Sequence, residues 1–174
     1  MILRPARPGD AADICAISNP IIRDTLVTFT TTERGIESVV RDIKTRAEAF
    51  QVAETGGRVV GFATYGPFRS GPGYAFAGEH SIQLAADARG QGTGRTLMHR
   101  LQQVAADQGI HVLVAGISGA NPAAVAFHSA IGFAQVGRMP QVGFKAGRWL
   151  DLILMQRILT PGPDGAPDTG AGAG

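Results

Sequence analysis

The segment Arg89-Gly90-Gln91-Gly92-Thr93-Gly94-Arg95-Thr96 decides how the fold of this 174-residue chain is interpreted. It lies between a predicted strand, Glu79 to Ala86, and a predicted amphipathic helix that runs to about Gln108. The start of a helix has unpaired backbone N–H groups and the positive end of the dipole, and glycines let phosphate oxygens approach those amides. The segment therefore predicts a pyrophosphate cradle, and a glycine-rich turn that only begins a helix is the alternative.

Two familiar phosphate-binding loops do not fit this segment. A Walker loop needs Gly-Lys-Ser/Thr, but Arg95 follows Gly94 and no lysine is nearby. A dinucleotide fingerprint needs G-x-G-x-x-G after the first strand, whereas this segment has G-x-G-x-G before the third predicted helix. Kinases of the Walker type and dinucleotide-binding domains are therefore disfavoured.

Strands and helices alternate around this segment in a mixed order. Apolar residues recur every three or four positions in the helices, alternate with polar residues in Glu79 to Ala86, and form a continuous run in His111 to Ile117. Asp10 is the predicted N-cap of the first helix, and Asn121 and Pro122 open the last one. The order predicts a mixed sheet covered by helices, of α+β or α/β class, around one core. The other predicted strands are Ile2 to Pro5, Phe50 to Glu54, Arg58 to Tyr65, His111 to Ile117, Ala134 to Phe144 and Trp149 to Ile158.

The composition predicts one soluble domain over residues 1–159. The chain is 44% hydrophobic and 17% charged with a net charge of +2. It has no stripe of Lys and Arg residues of the kind that indicates nucleic-acid binding, so no nucleic-acid partner is expected. No stretch of about 18 apolar residues or secretion signal is present, so no membrane partner is expected. The lone Cys15 fits a reducing compartment, which predicts a cytoplasmic location. Residues 160–174 are rich in Pro, Gly and Ala and are predicted to be a disordered tail without function.

The motif Arg89-x-x-Gly92-x-Gly94 resembles the signature with which GNAT N-acetyltransferases hold the pyrophosphate of acetyl-CoA. The resemblance to one branch, the phosphinothricin/methionine sulfoximine acetyltransferases, spans most of residues 2 to 158. It implies a GNAT fold, which is α+β with three layers, a mixed, mostly antiparallel sheet and a splayed strand pair. The further matching segments are Glu79-His80-Ser81, His111 to Ile117, Asn121, His128, Gly132-Phe133 and Val142 to Leu152.

The resemblance implies direct transfer of an acetyl group from acetyl-CoA to the amine of a small amino acid or analogue. It implies no metal, and the four scattered histidines show no metal-ligand spacing. It also implies a homodimer, with Lys145 to Asp151 near the interface or the acceptor pocket. The alternatives are a broad amine or arylalkylamine acetyltransferase, a non-catalytic acetyl-CoA-binding domain, and a nucleotide-binding module.

Two side chains are the candidate catalytic groups. Glu79 matches the glutamate that acts as general base in the family, and a carboxylate in a structural ion pair is its alternative role. His128 matches a position near the CoA sulfur and is the candidate proton donor, with an ordinary buried histidine as the alternative. His80 alternates away from Glu79 along the strand and is expected to support the site or the core.

The remaining expected contacts divide between the cosubstrate and the acceptor. Asn121 is expected to bind near the pantetheine arm, to cap a helix, or both. In the acceptor pocket the resemblance implies Phe29, Arg69 and Tyr74, although Ala75 and Phe76 replace the family's usual basic residue. The expected cosubstrate-binding residues are Ile82, Leu84, Arg89, Gly90, Gln91, Gly92, Thr93, Gly94, Arg95, Thr96 and Asn121.

Overall fold

A computed structural model describes residues 1–159, in which one seven-stranded sheet has helices on both faces. The strand order is β1-β2-β3-β4-β5-β7-β6. The predicted α+β architecture is confirmed, and the predicted tail, residues 160–174, lies outside the described residues. The elements are β1 Ile2–Pro5, α1 Ala11–Asp24, α2 Ile36–Arg46, β2 Phe50–Thr55, β3 Arg58–Pro67, β4 Ala77–Leu84, α3 Thr93–Asp107, β5 Val112–Ser118, α4 Pro122–Ala130, β6 Ala134–Lys145 and β7 Arg148–Ile158.

The sheet opens between its two parallel strands. Neighbouring strands are antiparallel except β4 and β5, which pair from Ala77↔Val112 only as far as His80↔Ala115. Beyond that pair β4 continues for four residues and β5 for three, without pairing to each other. The predicted splayed strand pair is therefore present, and it leaves backbone N–H and C=O groups unpaired inside the sheet.

Two apolar clusters hold the helices on opposite faces of the sheet. Side chains alternate along a strand, so β2 and β3 contribute residues to both clusters. One cluster joins α1 and α2 to β2 and β3 through residues such as Ile14, Val39 and Phe62. The other joins α3 and α4 to the sheet through residues such as Leu97 and Leu113. The open end of β4 and β5 therefore lies between two packed helical layers.

Two local predictions differ from the structure. The predicted strands end at Tyr65 and begin at Glu79, but Gly66 belongs to β3 and Gly78 to β4. A Cβ at Gly78 would lie 3.0 Å from Tyr65 and 3.1 Å from Leu113, so this glycine permits close packing in a strand. Tertiary pairing thus overrides the low strand propensity of glycine.

Asp10 occupies the predicted N-cap position of α1, but its side chain makes no capping hydrogen bond to that helix. Its carboxylate instead accepts a hydrogen bond from the backbone N–H of Arg7 and forms an ion pair with Arg4.

No helix among residues 1–159 is long and apolar enough to span a bilayer.

Candidate active site

The glycine-rich segment forms an open cradle at the start of α3. Gly90 and Gly92 have φ values of +73° and +82°, a region that favours glycine, and no atom lies within 4 Å of where their Cβ atoms would be. No side chain caps the start of α3, so the first N–H groups of this helix have no capping side-chain acceptor. These features fit a pyrophosphate, which needs close approach to backbone amides.

Gly94 has a different role from the two glycines before it. A Cβ at this position would lie 3.3 Å from Leu84 and 3.4 Å from Phe127. Its missing side chain lets the first turn of α3 pack directly on β4 and α4. The cradle is therefore joined closely to the open end of the sheet.

Charged and polar side chains line the rim of the cradle. Arg89 donates a hydrogen bond to the carbonyl oxygen of Leu84 at 3.3 Å, and Arg95 donates one to that of Ala130 at 3.4 Å. Both arginines are exposed, so their charge is available to an anion beside the helix start. Thr93 is buried, and Thr96 donates its hydroxyl to the carbonyl oxygen of Gly92.

The walls of the opening come from β4 and from the start of α4. Because β4 and β5 are parallel, α3 and α4 both begin at the same edge of the sheet. Ile82 and Leu84 are half-buried and pack against the core cluster under α3 and α4. The Asn121 side chain accepts a hydrogen bond from the N–H of Ala124 at 3.1 Å, which confirms its role as an N-cap. Contact between Asn121 and the pantetheine arm stays a prediction.

Glu79 stands at the point where the strands separate. None of the ion pairs formed by residues 1–159 includes Glu79, so its alternative role in a structural ion pair has no support. Burial raises the pKa of its carboxyl group, and the positive charge of Arg69 partly offsets that rise. A carboxylate with a raised pKa can accept a proton from an ammonium group.

His128 and His80 form a buried pair on the other face of the sheet. Their Nε2 atoms are 3.0 Å apart, and Nδ1 of His128 lies 2.7 Å from the carbonyl oxygen of Ala124. A carbonyl oxygen only accepts, so Nδ1 of His128 carries a proton and, in the neutral ring, Nε2 accepts from His80. Burial lowers both pKa values, that of His80 to about 3, which favours the neutral rings.

The acceptor-side residues divide between two places. Arg69 and Tyr74 are exposed in the loop between β3 and β4, and both contact Phe68. The Cζ atom of Arg69 lies 5.2 Å from the centre of the Phe68 ring, and the Tyr74 ring meets that ring edge-on. Phe29 instead packs on β6, its ring 3.1 Å from where a Cβ of Gly143 would lie. The structure thus brings Arg69 and Tyr74 together, and it places Phe29 on a separate element.

The sequence interpretation missed Phe68 and Ser118, which help to organise this side, and it gave Lys145 only as part of the segment Lys145 to Asp151. Phe68 supports both Arg69 and Tyr74. The segment that carries Phe29 is held by Lys145, whose Nζ donates to the carbonyl oxygen of Thr28 at 2.9 Å, and by Ser118, which donates to that of Leu26. These contacts join residues about 90 to 120 positions apart, and no local pattern predicts them.

The chain is similar to known acetyltransferases over most of its length. A family model described as an acetyltransferase (GNAT) domain matches residues 3–154. The chain is 38% identical to the L-amino acid N-acyltransferase MnaT of Escherichia coli (strain K12), over 90% of this chain and 92% of that protein. It is 37% identical to an L-methionine sulfoximine/L-methionine sulfone acetyltransferase of Pseudomonas aeruginosa, over 91% and 95% of the two chains.

Solved structures agree with the sequence relatives. A GNAT superfamily phosphinothricin acetyltransferase from Sinorhizobium meliloti, in complex with acetyl-CoA, matches with a TM-score of 0.90 and 34% identity, over 97% of this chain and 94% of that chain. The opened sheet and the amide cradle thus define an enzyme that takes a CoA thioester. The chain belongs to the GNAT family of acetyltransferases. It is an N-acetyltransferase that uses acetyl-CoA as its acetyl donor.

Proposed function

We propose that this enzyme acetylates the α-amine of an amino acid or amino-acid analogue, with Glu79 as the general base. The observation that carries the proposal is the Glu79 carboxyl group, which has a raised pKa, no ion pair and a position at the strand opening. The printed names of the E. coli and P. aeruginosa relatives describe amino-acid acceptors. The exposed guanidinium of Arg69 suits the carboxylate of such an acceptor, because the two groups form paired hydrogen bonds.

In this mechanism Glu79 accepts a proton from the acceptor ammonium group. The free amine attacks the thioester carbonyl carbon, the carbon–sulfur bond breaks, and the sulfur leaves with the bonding electron pair. The attacking nitrogen gives up a second proton as the amide forms, the CoA thiolate takes up one proton, and the proton on Glu79 is released to solvent, so the products are the N-acetylated amine and CoA. No covalent bond to the enzyme forms, so the scheme needs no nucleophilic side chain.

We propose His128 as the donor of the thiolate's proton. The neutral His128 ring carries its one proton on Nδ1, which donates to the carbonyl oxygen of Ala124, so donation requires that hydrogen bond to break. A His128→Phe variant tests this role. Loss of turnover at high pH, with unchanged acetyl-CoA affinity, supports a donor, whereas lower thermal stability with normal turnover indicates a packing role.

A panel of paired acceptors tests the amino-acid assignment. Thiol release from acetyl-CoA is measured with L-phosphinothricin, L-methionine sulfoximine, L-methionine sulfone, common L-amino acids and arylalkylamines. L-Phenylalanine and phenethylamine form a matched pair that differs only in the carboxylate. A preference for the carboxylate-bearing member supports the proposal. Preference for the bare amine supports the arylalkylamine alternative, which the exposed Tyr74 and Phe76 favour.

If the protein binds CoA but acetylates none of these acceptors, the alternative of a non-catalytic acetyl-CoA-binding domain is favoured.

We also propose that residues 1–159 form the single catalytic domain and that it works in the cytoplasm. The buried Cys15, whose thiol pKa is raised by burial, is consistent with a reducing compartment.

We further propose a homodimer formed through the β6–β7 hairpin. Several large apolar side chains of this hairpin are exposed, and β6 is the edge strand of the sheet. An exposed apolar edge strand tends to associate with another chain. Trp149 and Phe144 pack on each other with ring centres 4.9 Å apart and are 62% and 55% exposed. Such a patch is typical of a protein interface. The other exposed members are Val136, Met139 and Val142.

Sedimentation velocity tests the homodimer. Trp149→Glu is expected to shift a dimer to monomer, because the charge would be buried between the two copies. Ile36→Glu is the matched control, since Ile36 is 55% exposed on α2, away from the hairpin. A wild-type monomer at micromolar concentration contradicts the proposal.

A further inference from the structure

The Glu79 carboxylate occupies a space that exists because residue 116 is glycine. Gly116 lies on β5, two residues after Val114, the pairing partner of Glu79. A Cβ at Gly116 would lie 2.8 Å from Oε1 of Glu79 and 3.4 Å from Cδ1 of Leu152. The first distance is too short for a carbon and a carboxylate oxygen in contact. Any side chain at residue 116 therefore displaces the carboxylate.

This space lies where the sheet opens. Pairing between β4 and β5 ends at His80↔Ala115, so Gly116 is the first residue of β5 beyond the last pair. On its other side Gly116 pairs with Leu154 of β7, which fixes its backbone. The position of Gly116 is therefore set by the sheet, whereas the Glu79 side chain is flexible.

We propose that Gly116 is a positioning residue for acetyl transfer. Its missing side chain lets the Glu79 carboxylate lie against β5 at the mouth of the opening, at the height at which it meets the acceptor ammonium group. This inference rests on the proposed role of Glu79 as base. No ion pair within residues 1–159 holds the carboxylate, so the free space beside β5 is what defines its position.

The fold should tolerate a methyl group at this position, while catalysis should not. The atom that must move is the end of a flexible side chain, and Gly116 does not adopt the positive φ that favours glycine. An alanine at residue 116 would move the carboxylate oxygen by roughly 0.5–1 Å. Misplacement of a reacting group by about 1 Å can lower a rate by about 10²-fold.

The experiment compares Gly116→Ala with Gly137→Ala. Gly137 lies on β6, where a Cβ would have its nearest neighbour, Leu154, at an ordinary 3.8 Å. We expect Gly116→Ala to lower kcat by roughly 10- to 100-fold. Its acetyl-CoA affinity, measured by calorimetry, and its melting temperature should remain close to wild type. Gly137→Ala should leave kcat unchanged.

A double-mutant cycle with Glu79→Gln shows whether Gly116 acts through the carboxylate. If it does, Gly116→Ala has little further effect in the Glu79→Gln background, because the base is already absent. If a methyl group instead obstructs the acetyl group or the acceptor, the full loss recurs in that background, and the inference is overturned. The slow reactions are followed by mass spectrometry of the acetylated product.

The experiments can disprove the positioning role of Gly116 and the general-base role of Glu79 separately. Normal kcat in Gly116→Ala, together with impaired turnover in Glu79→Gln, overturns the positioning role and leaves the general base in place. Normal turnover in Glu79→Gln overturns the general base and the positioning role with it.

Discussion

The two faces of the opened sheet are built in different ways. On the α3/α4 face, backbone amides form the cradle, Gly94 packs against Leu84 and Phe127, and the two histidines are buried. On the α1/α2 face, Glu79 is accompanied by exposed loop side chains such as Arg69 and Tyr74. In the proposed reaction, backbone geometry recognises the constant cosubstrate, while replaceable side chains face the acceptor. Substitutions on the two faces should therefore affect different kinetic constants.

Loss of the base should give the largest effect and should affect only the acceptor half of the reaction. Glu79→Gln keeps the size of the side chain but cannot accept the proton. We expect kcat to fall by roughly 10²–10⁴-fold, the usual range for a general base. The dissociation constant for acetyl-CoA, measured by calorimetry, should change by less than about twofold. An unchanged kcat would remove Glu79 from the mechanism.

Substitution in the cradle should affect the cosubstrate half instead. Gly92→Val places a branched side chain at a φ of +82° and fills the open space before α3. We expect acetyl-CoA affinity to fall at least about tenfold, equivalent to ~1.4 kcal/mol. Equilibrium binding of acetyl-CoA measures this loss.

Gly109→Val is the matched control for the cradle. Gly109 follows α3 at its other end, has a φ of +79° and also has no atom within 4 Å of a Cβ position. Both variants should lose stability to similar backbone strain, but only Gly92→Val should lose affinity. Equal affinity in the two variants would contradict the assignment of the cradle.

Arg69 should link acceptor binding to the pH dependence of the base. Its charge lowers the pKa of Glu79, so Arg69→Gln should raise that pKa further. Only the deprotonated carboxylate accepts a proton, and the acidic limb of kcat/KM should therefore move to higher pH. KM for an amino-acid acceptor should rise by roughly three- to tenfold.

The control for Arg69 is Arg58→Gln, which removes an exposed arginine paired with Asp87 at the distant end of β3. It should leave both the pH profile and the acceptor KM unchanged. A pH profile of Arg69→Gln that coincides with wild type would separate Arg69 from the base.

The buried His80 should contribute a smaller effect, which appears in the stability of the protein. The pKa of His80 is about 3 in the folded protein, against a usual value near 6.5. The unfolded chain therefore binds the proton first as pH falls, and stability should decrease from about pH 6.5 downward. The slope should not exceed ~1.4 kcal/mol per pH unit for each histidine.

Urea unfolding between pH 7 and pH 5 measures this slope, with His80→Phe for comparison. The variant should show a shallower decrease, because one buried neutral histidine is removed. Equal slopes in the two proteins would mean that His80 is not the group responsible. His99→Gln is the control, since His99 is exposed on α3.

The sequence predicted the parts of the molecule that local physics determines. The glycine positions located the cradle, and Asn121 with Pro122 located the start of α4. The pairing of His80 with His128 was not predicted, because it depends on how α4 packs over β4. Asp10 was assigned to the wrong partner for the same reason, since Arg4 competes for its carboxylate from a neighbouring strand.

The acceptor side was harder to predict because its contacts are distant in sequence. Lys145 reaches Thr28 across 117 positions, and Gly116 meets Glu79 only because two strands are parallel. A motif can name Glu79 as a candidate, but the space that receives its side chain is a property of the sheet.

The unpaired ends of β4 and β5 should couple the stability of the folded state to ligand binding. They are two strand edges inside a sheet, and edges of this kind attract other extended chains. A ligand that adds as a strand can occupy them, and any ligand specific to the native state raises stability by RT ln(1 + [L]/Kd). At a concentration one hundred times Kd this amounts to about 2.7 kcal/mol. Saturating acetyl-CoA should therefore raise the free energy of unfolding, and with it the melting temperature of the enzyme.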